Sequence, residues 1–192
     1  MRQPQAYDLV GTMERAGYEV NPILNLIGVR TDSVVGDVYD DWLVVLTYLN
    51  AQWHSWAFPG TTDPGTYYRR HPINVSGTAI LKPGNYKGAY KIGHHRGYKA
   101  LQQVGDVTVY RDGNRDDVLD TEGVEEQTGI FGINIHRASA HYSKNDSPIG
   151  KWSAGCQVFQ YVPHFDFVVA LAEAAQKSRF DYTLLTENMF KR

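Results

Sequence analysis

Cysteine is scarce in this 192-residue chain, in which Cys156 is the single example. One thiol excludes an internal disulfide framework and a zinc site made of several cysteines, and it leaves a free thiol to explain. Long apolar segments are missing as well. No run approaches the ~20 residues that a helix needs to cross a bilayer, so the sequence predicts no membrane insertion.

An excess of positive charge is also missing, because the net charge at pH 7 is −2. A nucleic-acid partner normally requires a basic surface, so none is predicted. Residues 1–17 contain no long apolar segment of the kind found in secretory signals. We therefore expect a chain that is made in the cytoplasm without a signal peptide.

The residues that are present favour a packed, strand-rich fold. Apolar residues make up 42% of the chain, and 18 glycines and 13 tyrosines accompany many Val, Ile and Thr residues. Apolar residues at helical spacing predict an N-terminal helix from Ala6 to Ala16, ended by Gly17, and a C-terminal helix within residues 165–178. No linker divides the chain, so one domain over residues 1–192 is predicted.

The segment between these helices is mostly typical of strands. Residues 73–135 contain short apolar runs separated by turn dipeptides. Residues 40–65 are predicted to begin as a buried strand or short helix and to end as a turn-rich loop, because they carry two Pro-Gly dipeptides, the first at Pro59. The predicted fold class is therefore α+β, mostly β, built around a sandwich or mixed sheet.

The free thiol lies in a context that suits nucleophilic chemistry. Cys156 follows Ser153, Ala154 and Gly155, three small residues that let the backbone turn tightly and expose its N–H groups. Upstream, the alternation of apolar and polar residues directs His136 away from the core of its predicted strand. A nearby histidine can take the thiol proton, and the N–H groups of Gly155 and Cys156 can stabilise an oxyanion. The alternative is a small buried cysteine and an unrelated surface histidine.

The spacing of these residues resembles a family motif. His136, the segment 137–152 and then Ser153-x-Gly155-Cys156 is similar to the pattern of the L,D-transpeptidase catalytic domain, the YkuD-like family. That pattern is a histidine, a gap of similar length and then Ser/Thr-His-Gly-Cys. The Ile-x-Ile run before the histidine and the Ile-Gly pair before the serine also resemble the family. The stretch "KPGNYKGAYKIG" faintly resembles its upstream Thr-Pro-x-Gly-x-Phe segment.

The resemblance implies a mostly-β sandwich with the cysteine at the mouth of a cleft, and action on peptidoglycan stem peptides through a thioester. By this resemblance Cys156 is the catalytic nucleophile and His136 the base. Ser153 and Gly155 would shape the turn and the oxyanion site. The chemistry requires no metal and no cofactor.

The resemblance covers only part of the chain. Residues 73–162 are the predicted catalytic region, and residues 1–70 are predicted to form an N-terminal extension that packs on the core. Within the motif, Ala154 stands where the family has its second histidine, Arg137 replaces a glycine, and Gln157-Val158 replaces an apolar-Arg or apolar-Asn pair. These departures concern substrate binding and the acyl acceptor more than the Cys–His pair.

Two functions stay open at this point. The first is a cysteine-dependent acyl-enzyme on stem peptides, either a peptidase of the endolysin kind or an L,D-transpeptidase. Without a signal peptide, such an enzyme suits release at phage lysis, or else export by another route. The alternative is a non-catalytic wall-binding or virion structural protein that retains a relic of this fold, favoured by the missing second histidine.

Neighbours of the predicted base are candidates for substrate binding. Arg137 offers a bidentate donor for a stem-peptide carboxylate. Asn134 shares the face of His136, and either this amide or a backbone carbonyl is expected to orient the base. His141, in the following loop, is a candidate second base or a cover for the cleft.

A polar segment upstream of the cysteine motif contains candidate ligands for a metal ion. The stretch "DGNRDDVLD" places Asp112, Asn114, Asp116 and Asp120 at positions 1, 3, 5 and 9 of a calcium loop. Position six is normally glycine and is Asp117 here. Because Asp-Gly is also a strong turn signal, a polar hairpin turn is the favoured interpretation and structural calcium is the alternative.

Overall fold

Strands dominate the structure, a computed structural model that describes residues 2–33, 36–139 and 148–191. The helices are α1 (Ala6–Arg15), α2 (Thr66–Arg70), α3 (Val162–Ala174) and a 3₁₀-helix (Glu187–Phe190). The strands are β1 (Asn25–Arg30), β2 (Asp41–Leu49), β3 (Gln52–Thr61), β4 (Thr78–Leu81), β5 (Gly84–His95), β6 (Tyr98–Gln103), β7 (Val107–Asp112), β8 (Glu125–Gly129), β9 (Ile135–Arg137), β10 (Gln157–Phe159) and β11 (Phe180–Thr186). The predicted α+β, mostly β fold with an N-terminal and a C-terminal helix is confirmed.

Eight of these strands form one closed sheet in the order β1-β11-β5-β6-β9-β10-β3-β2. Most neighbours are antiparallel, but β1 runs parallel to β11 and β9 runs parallel to β10. The sheet is therefore mixed, and β2 closes it by pairing with both β1 and β3. Strands β4, β7 and β8 form a separate antiparallel sheet with β7 in the middle.

The early part of the chain takes part in the closed sheet. Strands β1, β2 and β3 lie between β11 and β10 in the strand order. Residues 1–70 thus supply three of the eight strands of that sheet. The division of the chain into an extension over residues 1–70 and a catalytic region over residues 73–162 stays a prediction.

The β2–β3 hairpin corrects one sequence-based expectation. The turn-rich loop expected around Pro59 is instead strand β3, and the chain reverses earlier, at Asn50 and Ala51. Both residues have positive φ, 50° and 62°, as a tight two-residue hairpin turn requires. Pro59 is tolerated in the strand because it lacks only a donor, and its carbonyl accepts a hydrogen bond from Gln160 N–H at 3.1 Å. The Pro-Gly signal was therefore wrong as evidence of a loop.

Helix α1 covers the face of β1 and β2 that points away from the main core. Leu9 and Met13, one turn apart, are fully buried against side chains that include Ile27 and Val44. Burial of each such side chain contributes about 2–3 kcal/mol. Gly17 has a φ of 72°, the left-handed conformation that commonly ends a helix, as the sequence predicted.

Helix α3 completes the main core. It begins at Val162, before the predicted start, because Pro163 suits the first turn of a helix. Phe165, Val168 and Ala172 are buried in the same apolar cluster as side chains of both sheets. No helix within the described ranges is long and apolar enough to span a membrane.

A buried polar cluster joins β1, β2 and the end of β3. We call Arg30, Asp41, Thr62 and Asp63 the Arg30 cluster; each is buried. Asp41 accepts hydrogen bonds from Thr62 N–H at 2.7 Å and Thr62 Oγ1 at 2.8 Å. Arg30 donates to Thr62 O at 2.9 Å, and its Nε lies 2.8 Å from Asp63 Oδ1. Burial, followed by the nearby Asp63 carboxylate, raises the pKa of Asp41 to about 7.

Candidate active site

The parallel pair β9–β10 brings the two predicted catalytic residues to one place. His136 lies in β9, and Cys156 directly precedes β10. Gln157 N–H donates to Asn134 O at 2.9 Å and so fixes the register of the two strands. Cys156 and His136 both line one cavity of about 430 Å³. Its other lining residues are Tyr68, Ile73, Asn74, Gly77, Thr78, Ala79, His95, Arg96, Arg111, Phe131, Gly132, Ile133, Lys151, Trp152 and Ala154.

The turn that carries the cysteine is held by Ser153. The Ser153 hydroxyl donates to Cys156 O at 2.8 Å and accepts from Gly155 N–H at 3.1 Å. Gly155 has a φ of 123°, and a Cβ there would lie 2.5 Å from Ala79 O, so only glycine fits. The Gly155 N–H expected in an oxyanion site is thus bonded to Ser153. No described residue accepts a hydrogen bond from Cys156 N–H.

The imidazole of His136 is oriented by the backbone. Its Nδ1 lies 2.8 Å from Arg137 O, and because a carbonyl oxygen only accepts, Nδ1 carries the proton. The Tyr98 hydroxyl also donates to Arg137 O at 3.2 Å. The Nε2 atom is then the unprotonated nitrogen, and it is buried without a hydrogen-bond partner among the described residues. Of the two orienting groups predicted for His136, the structure has the backbone carbonyl.

A second histidine lies directly against the first. The rings of His95 and His136 are stacked with centroids 4.1 Å apart and planes 9° apart. Asn134 Oδ1 accepts from Gln103 N–H at 2.9 Å, so its Nδ2 is the donor toward His95 Nδ1 at 3.2 Å. Asn134, predicted to orient His136 or bind substrate, therefore contacts His95 in the described structure.

His95 was not among the predicted site residues. Its position follows from the two-residue turn between β5 and β6, where Arg96 and Gly97 have φ values of 48° and 88°. This turn pairs His95 with Tyr98, and β6 pairs in turn with β9. The "HHRGY" stretch is typical of such a hairpin, because glycine favours positive φ, and that signal was available in the sequence.

The cysteine and histidine are both neutral at neutral pH. Burial raises the pKa of Cys156 to about 11, against a smaller opposite effect of the Asn134 backbone. Burial also lowers the pKa of His136 to about 3, and the adjacent His95 adds to this shift. The thiol donates a long hydrogen bond, 3.5 Å, to Gly132 O rather than to His136. A reaction of this thiol with a substrate would therefore require its proton to leave during the attack.

The cavity wall is basic. Arg96, Arg111 and Lys151 line it, and its described lining contains no aspartate or glutamate. Arg111 is fixed in place, because its Nε donates to Gln127 Oε1 at 2.7 Å and its guanidinium lies over the Phe131 ring at 4.8 Å. Such a wall favours an anionic ligand, since the described lining places cations there and no carboxylate that would repel the ligand.

Arg137 and His141 were also predicted to take part in the site. Arg137 stacks its guanidinium on the Tyr98 ring at 4.1 Å, and it is not among the lining residues. Its predicted contact with a substrate carboxylate stays a prediction. His141 lies outside the described residues.

Side chains that could bind a metal do not converge on one point in the described structure. Within residues 2–33, 36–139 and 148–191, no three or more His, Cys, Asp or Glu side chains already converge as a metal site. The predicted calcium segment lies after β7, and its polar side chains bond mostly to one another.

Comparison with known proteins gives no family for the chain. No protein-family model matches it, and no curated protein matches it. The resemblance to the YkuD-like family therefore depends on the motif residues of the sequence alone.

Proposed function

We propose that this protein is a cysteine-dependent acyl-enzyme that acts on the stem peptides of peptidoglycan. Cys156 is the nucleophile and His136 is the base. One observation carries the proposal: both side chains line the same cavity, and Arg137 O holds the His136 ring so that the unprotonated Nε2 has no partner among the described residues. A buried, oriented proton acceptor that shares a cavity with a free thiol supports nucleophilic catalysis.

In the proposed reaction, one proton moves from the thiol to the leaving amine, and a C–S bond replaces the C–N bond of the peptide. His136 Nε2 takes the proton from Cys156 Sγ as the sulfur bonds to the peptide carbonyl carbon. The C–N bond then breaks, the leaving amine receives that proton, and an acyl thioester remains. Water hydrolyses the thioester in a peptidase, whereas an amine takes the acyl group in a transpeptidase. Cys156 N–H is the backbone donor proposed for the oxyanion, because Gly155 N–H is bonded to Ser153.

The basic wall supports a stem peptide as the substrate. Stem peptides carry free carboxylates, and Arg96, Arg111 and Lys151 offer cationic partners for them within the same cavity as the thiol. We further propose that the enzyme reaches the cell wall after lysis, as an endolysin does, or after export.

A non-catalytic protein that binds wall material is the second candidate. The observation that favours it is the resting state of the thiol, which is protonated and bonded to Gly132 O instead of to His136. Ala154, where the related motif has a second histidine, is consistent with lost activity. A binding protein would still use the basic cavity, but it would have no need of the thiol.

Mass spectrometry of purified muropeptides incubated with the protein separates these candidates. Hydrolysis yields products that gain one water, and transpeptidation yields exchanged or joined peptides. The acyl-enzyme predicts one of these products and its loss after alkylation of Cys156. Unchanged muropeptides at all concentrations, together with retained binding after alkylation, would support the binding protein and contradict the proposal.

A further inference from the structure

The segment after β7 contains a buried carboxylate that the proposed catalysis does not use. Asp112 ends β7, pairs with Thr78 of β4 and is 1% exposed. Neither of its carboxylate oxygens makes a hydrogen bond of good geometry to a described residue, although the Asp120 backbone and the Arg69 guanidinium lie near enough to stabilise its charge in part. A buried carboxylate with such weak partners is unfavourable, so it calls for a cation, a proton or a bound water.

The neighbouring polar side chains are gathered close to Asp112. Asn114 Nδ2 lies 2.9 Å from Asp116 Oδ2 and 2.5 Å from Asp120 Oδ2. The carboxylates of Asp120 and Asp116 are also near enough to act on the charge of Asp112. The amide NH₂ thus occupies the space between two carboxylates, where a cation would bind. The side chains do not yet converge on one point, and turning the Asn114 amide would present its oxygen instead.

We propose that residues 112–120 bind one Ca²⁺ ion, with oxygen atoms of Asp112, Asn114, Asp116 and Asp120 as ligands. Calcium suits an all-oxygen set with several carboxylates and adjustable geometry, whereas zinc prefers the sulfur and nitrogen donors that this segment lacks. The ion supplies the missing partner of Asp112 and replaces the Asn114 amide between the other two carboxylates.

Asp117 has a different role from its neighbours. Its carboxylate forms an ion pair with Arg70, with Oδ1 2.8 Å from Arg70 Nε. Its carbonyl oxygen accepts a hydrogen bond from Arg69. Asp117 is therefore turned toward α2 and is not a proposed ligand, which makes it a matched control for the ligand carboxylates.

The proposed ion would also support the wall of the cavity. Asp112 pairs with Thr78, and the next residue of β4, Ala79, lies with Thr78 in the cavity lining. The Ala79 carbonyl is the group against which Gly155 packs. An ion that fixes the end of β7 would thus fix the strand that backs the cysteine turn.

The test uses the full chain, stripped of metals with a chelator and then titrated with CaCl₂ alone. Isothermal titration calorimetry should give one site, and thermal unfolding should move to higher temperature with added Ca²⁺. Asp112→Asn and Asp116→Asn should each weaken binding at least tenfold, while Asp117→Asn should bind like the wild type. If Asp112→Asn fails to fold, Asp116→Asn and Asp120→Asn provide the same comparison.

Two results would overturn the proposal. One is the absence of both binding heat and thermal shift at millimolar Ca²⁺, which would leave Asp112 as a partner of the nearby buried Arg69. The other is equal weakening by Asp117→Asn and Asp116→Asn, which would indicate diffuse charge rather than a site. Because the readout is metal binding, either result is independent of whether the protein cleaves muropeptides.

Discussion

The Arg30 cluster and the cavity around Cys156 both contain buried polar side chains, but their hydrogen bonds differ. In the Arg30 cluster, Asp41 also accepts from Thr31 N–H at 2.8 Å, and Arg30 also donates to Leu81 O at 2.8 Å. In the cavity, His136 Nε2 has no hydrogen-bond partner among the described residues, and the Cys156 thiol donates a long hydrogen bond to Gly132 O.

This difference distinguishes polar groups that stabilise the fold from polar groups that are available to a ligand. A polar group buried at folding is stable when its bonds are made within the protein, as those of Asp41 are. A group that is left unpaired at the wall of a cavity is available to a ligand. The Arg30 cluster should therefore control stability, and the cavity pair should control activity.

The largest expected effect concerns the proposed catalytic pair. Cys156→Ser and His136→Ala should each lower turnover of muropeptides by about 10³-fold or more, because the proposed nucleophile or its base is gone. The double variant should be little worse than either single variant, since the two residues act as one unit. Mass-spectrometric rates measure the loss, with circular dichroism to confirm folding. Full activity in a folded Cys156→Ser protein would show that the thiol is structural.

The second largest effect is expected on the free energy of unfolding. Arg30→Met should lower the free energy of unfolding by about 3–5 kcal/mol, because Asp63 is left buried without its cation. Urea denaturation gives the value. Lys87→Met is the control, because Lys87 pairs with Glu19 on the surface and its loss should change stability far less. Equal effects of the two variants would contradict the structural role of the Arg30 cluster.

A smaller effect depends on pH. The pKa of His136 is about 3 in the folded protein, below its ordinary value of 6.5, so the unfolded chain binds a proton first as pH falls. The contribution of neutral His136 to the free energy of unfolding is complete above pH 6.5. It is lost as the pH falls toward 3, by at most about 1.4 kcal/mol per pH unit. The difference in unfolding free energy between wild type and His136→Gln should shrink from pH 7 to pH 4. Parallel curves would mean that His136 is not held neutral.

The smallest effect expected is that of an orienting group. Asn134→Ala removes the amide that holds His95 against His136 and should lower turnover about tenfold. Asn85→Ala serves as the control, because Asn85 bonds to Thr183 away from the cavity. If both variants kept full activity, the stacked His95 would have no part in positioning the base.

Local patterns in the sequence predicted several elements well. Leu9 and Met13 at helical spacing gave α1, and the apolar run from Phe165 gave most of α3. Strand β3, which contains Pro59, was missed. The Pro-Gly turn signal is local and does not show that β2 and β10 pair with this segment on its two sides. Pairing between distant strands outweighed the local preference.

The candidate site was predicted in part. His136 and Cys156 were placed together by their spacing, and the structure puts both at one cavity. The contact of His95 with His136 was missed, because it depends both on the β5–β6 turn and on the pairing of β6 with β9. The burial that shifts the pKa values of the pair is likewise a property of the assembled fold and cannot be deduced from adjacent residues.

The position of β11 has a consequence for how the chain folds. This strand pairs with β1, where Leu26 lies opposite Tyr182, and with β5 on its other side. Contacts between such distant positions form slowly, because a long loop must close first. Since β11 is synthesised after both β1 and β5, a growing chain exposes the edges of β1 and β5 to aggregation until residues 180–186 emerge from the ribosome.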